Sequence, residues 1–269
     1  MSVGFDRARF AAALTTRQLG RTLLVRESAV STNDEAWDAW GAGLGDGVTV
    51  IADVQSGGRG RAGRSWTHAP GLGLAMSVAL HLGCDVRQAG ILPLAVGLAI
   101  ARACERLGVS ARLKWPNDVL VSGRKIAGVL CEMRRDPRGG EVVVIGIGFD
   151  VRHRREDFPP ELREIATSLA IEGTDVTLEV AAATILAALE PLWAEVQEGD
   201  RAAVLAAWSE AAAFWGEPVT VRTPAGETTG VAQRLDADGA LVLRMDSGVE
   251  TTIVAGDLET GSRHEASGS

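Results

Sequence analysis

The sequence predicts an α+β fold: one sizeable core of sheet with flanking helices, followed by a small β-barrel domain. Three observations lead there. Strand-like and helix-like apolar patterns are mixed along the first 214 residues. Short β-rich runs separated by turn signals fill the chain after Trp215. The composition is that of a globular chain, 269 residues with 46% hydrophobic and 23% charged side chains, long enough to bury such a core.

In chain order, a helix is expected over 7–18 and an extended segment over 21–27. Ser31-Thr32-Asn33-Asp34-Glu35 opens the next helix, where Thr32 and Glu35 fit a capping box, each side chain satisfying a free backbone N–H. Residues 47–54 read as a buried strand, 56–65 as a loop and 73–82 as a strand. An apolar core helix is expected over 88–107, two strands around a turn over 111–133, and a strand with three consecutive valines over 141–151. Alanine-rich helices near 178–197 and 201–214 close a first domain set at 1–214. Thr223-Pro224-Ala225-Gly226, Asp236-Ala237-Asp238-Gly239 and Asp246-Ser247-Gly248 punctuate a second domain, 215–260, and the polar tail 261–269 is expected to be disordered. The tryptophans at 37, 40, 193, 208 and 215 are assigned to core or interface.

The formal charge of −8 argues against bulk nucleic-acid binding, so any anion site must come from a local basic cluster. Cys84, Cys104 and Cys131 are odd in number and lack metal-type spacing, and are read as reduced thiols. With no apolar leader and no membrane-spanning run, a soluble cytoplasmic protein is expected. His68, His81, His153 and His264 lack ligand spacing, so no metal held by the protein alone is expected. Neither a P-loop nor a nucleophile elbow is present.

Gly57 to Arg64 holds four glycines and three arginines in eight residues. Glycine lets a backbone approach closely, and guanidinium forks match phosphate or carboxylate. Gly58-Arg59-Gly60-Arg61-Ala62-Gly63 satisfies G-x-G-x-x-G literally. The dinucleotide fingerprint also needs a helix starting at the loop, and Trp66 is instead followed by Pro70-Gly71 and a strand pattern. A solvated basic loop is the plain alternative; an anion-binding loop fits the density of donors better.

In Lys114-Trp115-Pro116-Asn117-Asp118, Pro116 biases Trp115 toward extended backbone, and Ser122-Gly123 suits a two-residue hairpin turn. That turn puts Leu120 opposite Lys125 and Asp118 opposite Ala127, making Asp118 and Lys125 diagonal neighbours on one face. Such a pair is either an ordinary cross-strand salt bridge or a carboxylate holding a lysine charged against a phosphate oxygen. Gly128 and the alternating Gly146-Ile147-Gly148 could let a flat ligand lie against the strands, although strand glycines also mark bulges.

Taken in this order, these pieces resemble the biotin protein ligase family: Ser31-Thr32-Asn33, Gln55 with the Gly58–Trp66 loop, Lys114-Trp115-Pro116-Asn117-Asp118, Lys125-Ile126-Ala127-Gly128 and Gly146-Ile147-Gly148. The resemblance runs well over 27–168 and more loosely beyond. It implies a mixed-sheet catalytic domain of biotin/lipoate-ligase type and an SH3-like barrel. It also implies a ligase that makes biotinyl-5′-AMP from biotin and MgATP, then biotinylates a lysine of a biotin carboxyl carrier domain.

Carried over residue by residue, the resemblance sets Ser31, Thr32, Asn33 and Gln55 at the ring end of biotin. Gly58, Arg59, Gly60 and Arg61 form a loop closing over valerate and phosphate, with Gly128 and Gly146 beneath. Arg64, Trp66, Asn117 and Asp150 meet the nucleotide. Lys125, Arg61 and Asp118 are the catalytic set, Lys125 bridging carboxylate and α-phosphate and Asp118 facing the incoming amine. The family usually has Asn where this chain has Asp150, and an ionised Asp cannot donate as Asn does. Some members carry an amino-terminal DNA-binding domain, for which Ser31 comes too early here, so a ligase without repressor function is expected, acting as a monomer or weak dimer. Lipoate ligases and octanoyltransferases share the acyl-to-lysine logic, and a ligand-sensing regulator is the rival from another class. The doubled Arg-Gly-Arg and the Trp of Lys-Trp-Pro-Asn-Asp favour biotin.

Overall fold

The computed structural model describes residues 4–83 and 90–260. Cys84, the first residues of the helix expected over 88–107, and the polar tail lie outside the described residues.

The first helix, α1 (Arg7–Ala13), starts at Asp6, whose carboxylate accepts the N–H groups of Ala8 and Arg9. It ends sooner than expected. Leu14 is extended, and Thr16 spends its hydroxyl on the Leu19 carbonyl, the local bonding by which threonine competes with a helix. Strand β1 (Leu23–Arg26) follows, then α2 (Thr32–Gly41), β2 (Val48–Ala52) and β3 (Gly73–Leu82). The expected capping box does not form. Ser31 is the cap, accepting from the Asn33 N–H, while Thr32 turns to Gln55 and Glu35 to Arg26.

Helix α3 (Leu92–Arg106) begins beside Pro93, where a missing N–H costs nothing. The two strands expected over 111–133 are three: β4 (Arg112–Lys114), β5 (Asp118–Val121) and β6 (Arg124–Arg135). A turn containing Pro116, which has no ladder donor, separates the first two. Strand β7 (Glu141–Asp150) and helices α4 (Leu178–Glu198) and α5 (Arg201–Ala211) complete the unit. The sheet order is β1-β2-β3-β7-β6-β5-β4, with β1 and β2 parallel and every other pair antiparallel. It is the mixed sheet expected.

Alternation along β7 sorts the two faces. Val143, Ile145, Ile147 and Phe149 enter the main core with α3 and α4. On the other face, Val142 and Val144 meet Ala36, Trp37 and Ala39 of α2 together with Val48, Val50 and Ala79. The same face continues as Gly146, on which Asn33 of α2 lies, then Gly148 and Asp150. The period of two thus turns one strand from packing surface into binding floor.

The second sheet holds β8 (Pro218–Thr223), β9 (Gly226–Leu235), β10 (Leu241–Arg244), β11 (Glu250–Ile253) and β12 (Asp257–Thr260), ordered β11-β10-β9-β8-β12 and wholly antiparallel. This small sheet is consistent with an SH3-like fold. No described helix is long and apolar enough to cross a membrane.

Candidate active site

A cavity of about 1150 Å³ opens over the glycine face of the first sheet, walled by α2, the Gly/Arg loop and the edge of the second sheet at Thr220, Arg222 and Asp257. The glycines of the floor are needed for close approach. A Cβ on Gly146 would overlap Asn33 Oδ1, and one on Gly148 would overlap the indole of Trp66. Trp66 therefore lies directly on the backbone of β7, with Lys125 Nζ 5.9 Å from its ring centroid.

One end of the cavity is a fixed polar array. Gln55 Oε1 accepts from both the N–H and the hydroxyl of Thr32, at 2.8 and 3.1 Å. The Ser77 hydroxyl lies 2.7 Å from Thr32 Oγ1 and 2.6 Å from Asn33 Oδ1, while Asn33 Nδ2 donates to Glu132 at 3.0 Å. Ser31, Thr32, Asn33 and Ser77 are all buried, so their rotamers are held before any ligand arrives. Ser77 sits opposite Gly146 on β3, a pairing that only the sheet creates.

The Gly/Arg loop is folded back on itself: Trp66 N–H donates to the Gly58 carbonyl and Gly60 N–H to that of Arg64. Only a three-residue helical turn, Arg61–Gly63, interrupts it, so the helix that a dinucleotide fingerprint requires is absent from the loop. Its three arginines point to three different anchors. Arg59 grips both carboxylate oxygens of Asp34 at 2.8 Å and reaches Glu132 at 3.2 Å, pairings that raise its pKa. It ties the loop to α2 instead of spanning the cavity, because a guanidinium fork matches a carboxylate bidentately. Arg61, partly buried, donates to Asn117 Oδ1 at 3.0 Å, and its loss of water lowers its pKa. Arg64 pairs with Asp257 of the second sheet.

Lys125 Nζ donates to Asp118 Oδ1 at 2.6 Å. The expected register needs one correction. Leu120 faces Lys125 as anticipated, but a bulge between Val119 and Leu120 leaves Ile126 as an extra residue and sets Asp118 opposite Gly128, not Ala127. The ion pair survives the shift. The lysine backbone is pinned on its far side, its N–H to the Ile165 carbonyl and its carbonyl to the Thr167 N–H, both at 2.8 Å. Asn117 accepts from Arg61 and donates to the Val129 carbonyl, so Arg61, Asn117, Asp118 and Lys125 converge on one side of the cavity.

Asp150 ends the glycine face, only 4% exposed. Burial pushes its carboxyl well above the usual range, with Lys125 opposing weakly. Burial thus disfavours the charged form of this carboxyl, the form that cannot donate as Asn does. His153 Nδ1 stands 3.4 Å away without hydrogen-bond geometry, and burial followed by the neighbouring His68 pushes His153 down to about 4. Trp66 Nε1, His68 Nε2 and His153 Nδ1 are buried without partners among the described residues, and all three side chains line the cavity.

Of the residues given site roles by the resemblance, every one except Gly58 lines the cavity itself, and buried Gly58 is the point where the loop closes on Trp66 and Gln55. Ser77, Glu132, Asp34, His68, His153 and Asp257 were missed. In the sequence the histidines suggest only metal ligands, and Asp34 only part of a helix start.

Sequence and structure comparisons give a consistent result. The biotin/lipoate A/B protein ligase family description matches residues 26–150, and the biotin protein ligase C-terminal domain matches residues 214–259. The biotin--[acetyl-CoA-carboxylase] ligase of Mycobacterium tuberculosis is 34% identical over 249 residues, spanning 88% of this chain and 88% of that protein. The bifunctional ligase/repressor BirA of Bacillus spizizenii is 31% identical over 250 residues, spanning 92% of this chain and 77% of that protein. Among solved structures, the biotin protein ligase from Aquifex aeolicus in complex with biotin and ATP is similar with a TM-score of 0.73 and 26% identity, covering 89% of this chain and 98% of that one.

Proposed function

This chain belongs to the biotin protein ligase family and is a ligase, and we propose that it converts biotin and MgATP to biotinyl-5′-AMP and then biotinylates one lysine of a biotin carboxyl carrier domain. The observation that carries this reading is the Lys125–Asp118 pair at 2.6 Å, set beside Arg61 and Asn117 at the edge of a glycine-floored cavity. It supplies fixed cations where a carboxylate and a phosphate must be brought together. The solved Aquifex relative holds biotin and ATP.

In the first half-reaction a biotin carboxylate oxygen attacks the α-phosphorus, the bond to the β-phosphate oxygen breaks, and pyrophosphate leaves with the electron pair. Lys125 and Arg61 stabilise the charge that gathers on the phosphoryl oxygens. Ser31, Thr32, Asn33 and Gln55 hold the ring end over Gly146, while Gly128 leaves room beside Lys125. Arg64, Trp66, Asn117 and Asp150 serve the nucleotide, and Mg²⁺ enters as part of that substrate with water completing its shell. In the second half-reaction the carrier amine attacks the mixed anhydride, AMP departs, and the amine proton passes toward Asp118. Gly58, Arg59 and Gly60, anchored through Asp34, keep the loop over the adenylate and water away from it.

The catalytic unit is assigned to 1–214 and the small domain to 215–260. Repression is not part of the activity: the sequence carries a net charge of −8, and phosphate neutralisation by basic side chains supplies most DNA affinity. The deciding experiment is biotin-dependent exchange of labelled pyrophosphate into ATP, with lipoate and octanoate as controls. Exchange with biotin alone is expected; exchange with lipoate or octanoate instead refutes the substrate assignment. Transfer to a carrier domain and a DNA mobility shift complete the test.

A further inference from the structure

Glu132 does not line the cavity, yet α2 and the Gly/Arg loop both reach its carboxylate. It stands on β6, two residues beyond Leu130, which faces Gly146. Its oxygens accept from Asn33 Nδ2 at 3.0 Å, from the Trp37 indole N–H at 3.4 Å and from Arg59 at 3.2 Å. Arg59 also holds both oxygens of Asp34 at 2.8 Å, so the loop keeps an anchor of its own whatever stands at Glu132.

A carboxylate only accepts, so the Asn33 amide must turn its nitrogen to Glu132 and its oxygen to Ser77. At the opposite end the Thr32 N–H fixes Gln55 Oε1 as an acceptor in the same way. Three oxygen–oxygen contacts run between these two acceptors: Asn33 to Ser77 at 2.6 Å, Ser77 to Thr32 at 2.7 Å and Thr32 to Gln55 at 3.1 Å. Ser77 and Thr32 bring one hydroxyl proton each. Two protons cannot serve three contacts, so one contact sets lone pairs against lone pairs whichever way the hydroxyls turn. Thr32, Asn33 and Ser77 are only 4%, 3% and 0% exposed, and in such surroundings an unmet pairing is costly. An amide turned over would donate Nδ2 to Ser77 and supply the missing proton. Glu132 forbids that turn, and Asn33 lies flat against Gly146.

On the reading of this end of the cavity as the place of the biotin ring, we propose that Glu132 is a positioning residue that acts through Asn33, holding the four-oxygen chain one proton short so that an N–H of the substrate ring completes it. The chain receives N–H groups and has no proton left to give. A cyclic urea carries two such groups, whereas the dithiolane of lipoate and the alkyl chain of octanoate carry none. Selection among these acids is thus set in part by a carboxylate behind the cavity wall.

The test exchanges donor and acceptor across the Asn33–Glu132 contact in the full chain, reading biotin binding by calorimetry without nucleotide. Glu132→Gln keeps an accepting oxygen for Asn33 and should hold biotin affinity within about threefold, while Glu132→Ala frees the amide and should lose about tenfold. Asn33→Asp sets carboxylate against carboxylate and should lose about 100-fold, since a guanidinium already shared by Asp34 and Glu132 cannot also neutralise another. In the double variant Asn33→Asp with Glu132→Gln, the introduced carboxylate accepts from the introduced amide and from Ser77. The original polarity returns, and affinity should recover to within about tenfold of wild type. The KM for ATP in pyrophosphate exchange should stay within about threefold in all four variants, because the Lys125 end is untouched; a merely structural role would raise it together with the KM for biotin. A double variant as weak as Asn33→Asp, Glu132→Ala binding as tightly as wild type, or a joint rise in the KM for ATP overturns the proposal. Normal wild-type binding with indifferent variants sinks this inference alone; folded wild-type protein that binds no biotin sinks the biotin reading with it.

Discussion

Replacing Lys125 with Ala removes an ion pair and a cation, and the two losses act on different quantities. The pair is close, 2.6 Å, but its side chains are 33% and 19% exposed. Pairs this wet are worth at most about 1 kcal/mol. In a chain of this size that is about 2–4 °C in Tm. The lysine backbone is held by Ile165 and Thr167 through bonds that Ala keeps, so the strand register survives. The chemical loss is far larger. Withdrawing one preorganised donor from a transferring oxyanion costs about 100- to 1000-fold in rate, about 3–4 kcal/mol. Pyrophosphate exchange and thermal unfolding measured on the same preparation separate the two. A variant that loses exchange about 100-fold or more while its Tm moves by a few degrees supports the assignment. Exchange within about threefold of wild type refutes it, because no charge at Lys125 would then be felt in the transition state.

Asp118→Asn leaves the Lys125 cation in place, so pyrophosphate exchange should fall by less than about tenfold while transfer from isolated adenylate to carrier drops about 100-fold or more, a split that stopped-flow transfer assays measure directly. Gly148→Ala puts a methyl group into the indole of Trp66, and overpacking of about 1–3 kcal/mol should raise KM for ATP about tenfold while biotin affinity, set at the Thr32 end, changes little. Asp257→Asn releases Arg64 from the second sheet, and since that pair is exposed, Tm should barely change while trypsin cuts the Gly/Arg loop about two- to fivefold faster. Asp34→Ala should speed the same cleavage further, because Arg59 then loses both of its short bonds to α2.

The parts of the fold that were legible are those written in local periodicity. The limits of β3 and β7 follow from runs of apolar residues bounded by charge and glycine, and the Ser122-Gly123 turn brings Lys125 back to Leu120 as its left-handed backbone requires. Local rules failed where a long-range partner outbid a short-range one. Glu35 was expected to cap its own helix but pairs with Arg26 at 2.7 Å. The bulge beside Val119 is a second departure from the local reading. The pattern there permits an unbroken ladder, and one additional buried residue, Ile126, displaces it.

The site was legible as a set of motifs but not as a set of charges. Sequence spacing can bring Lys125 to Asp118, because both lie on one hairpin. It cannot foresee that Arg59 is spent on Asp34, since loop and helix meet only after the sheet has formed. Nor can it state the ionisation of Asp150, which depends on what covers the residue. At 4% exposure, burial raises its pKa above that of an exposed aspartate, with Lys125 opposing. The glycines that precede it on the strand decide what lies beside it. Asn33 settles onto Gly146 and Trp66 onto Gly148, and Asp150 is the first side chain beyond them on that face. The alternation that makes room for a flat ligand thus ends at a buried carboxyl, whose charged form burial disfavours.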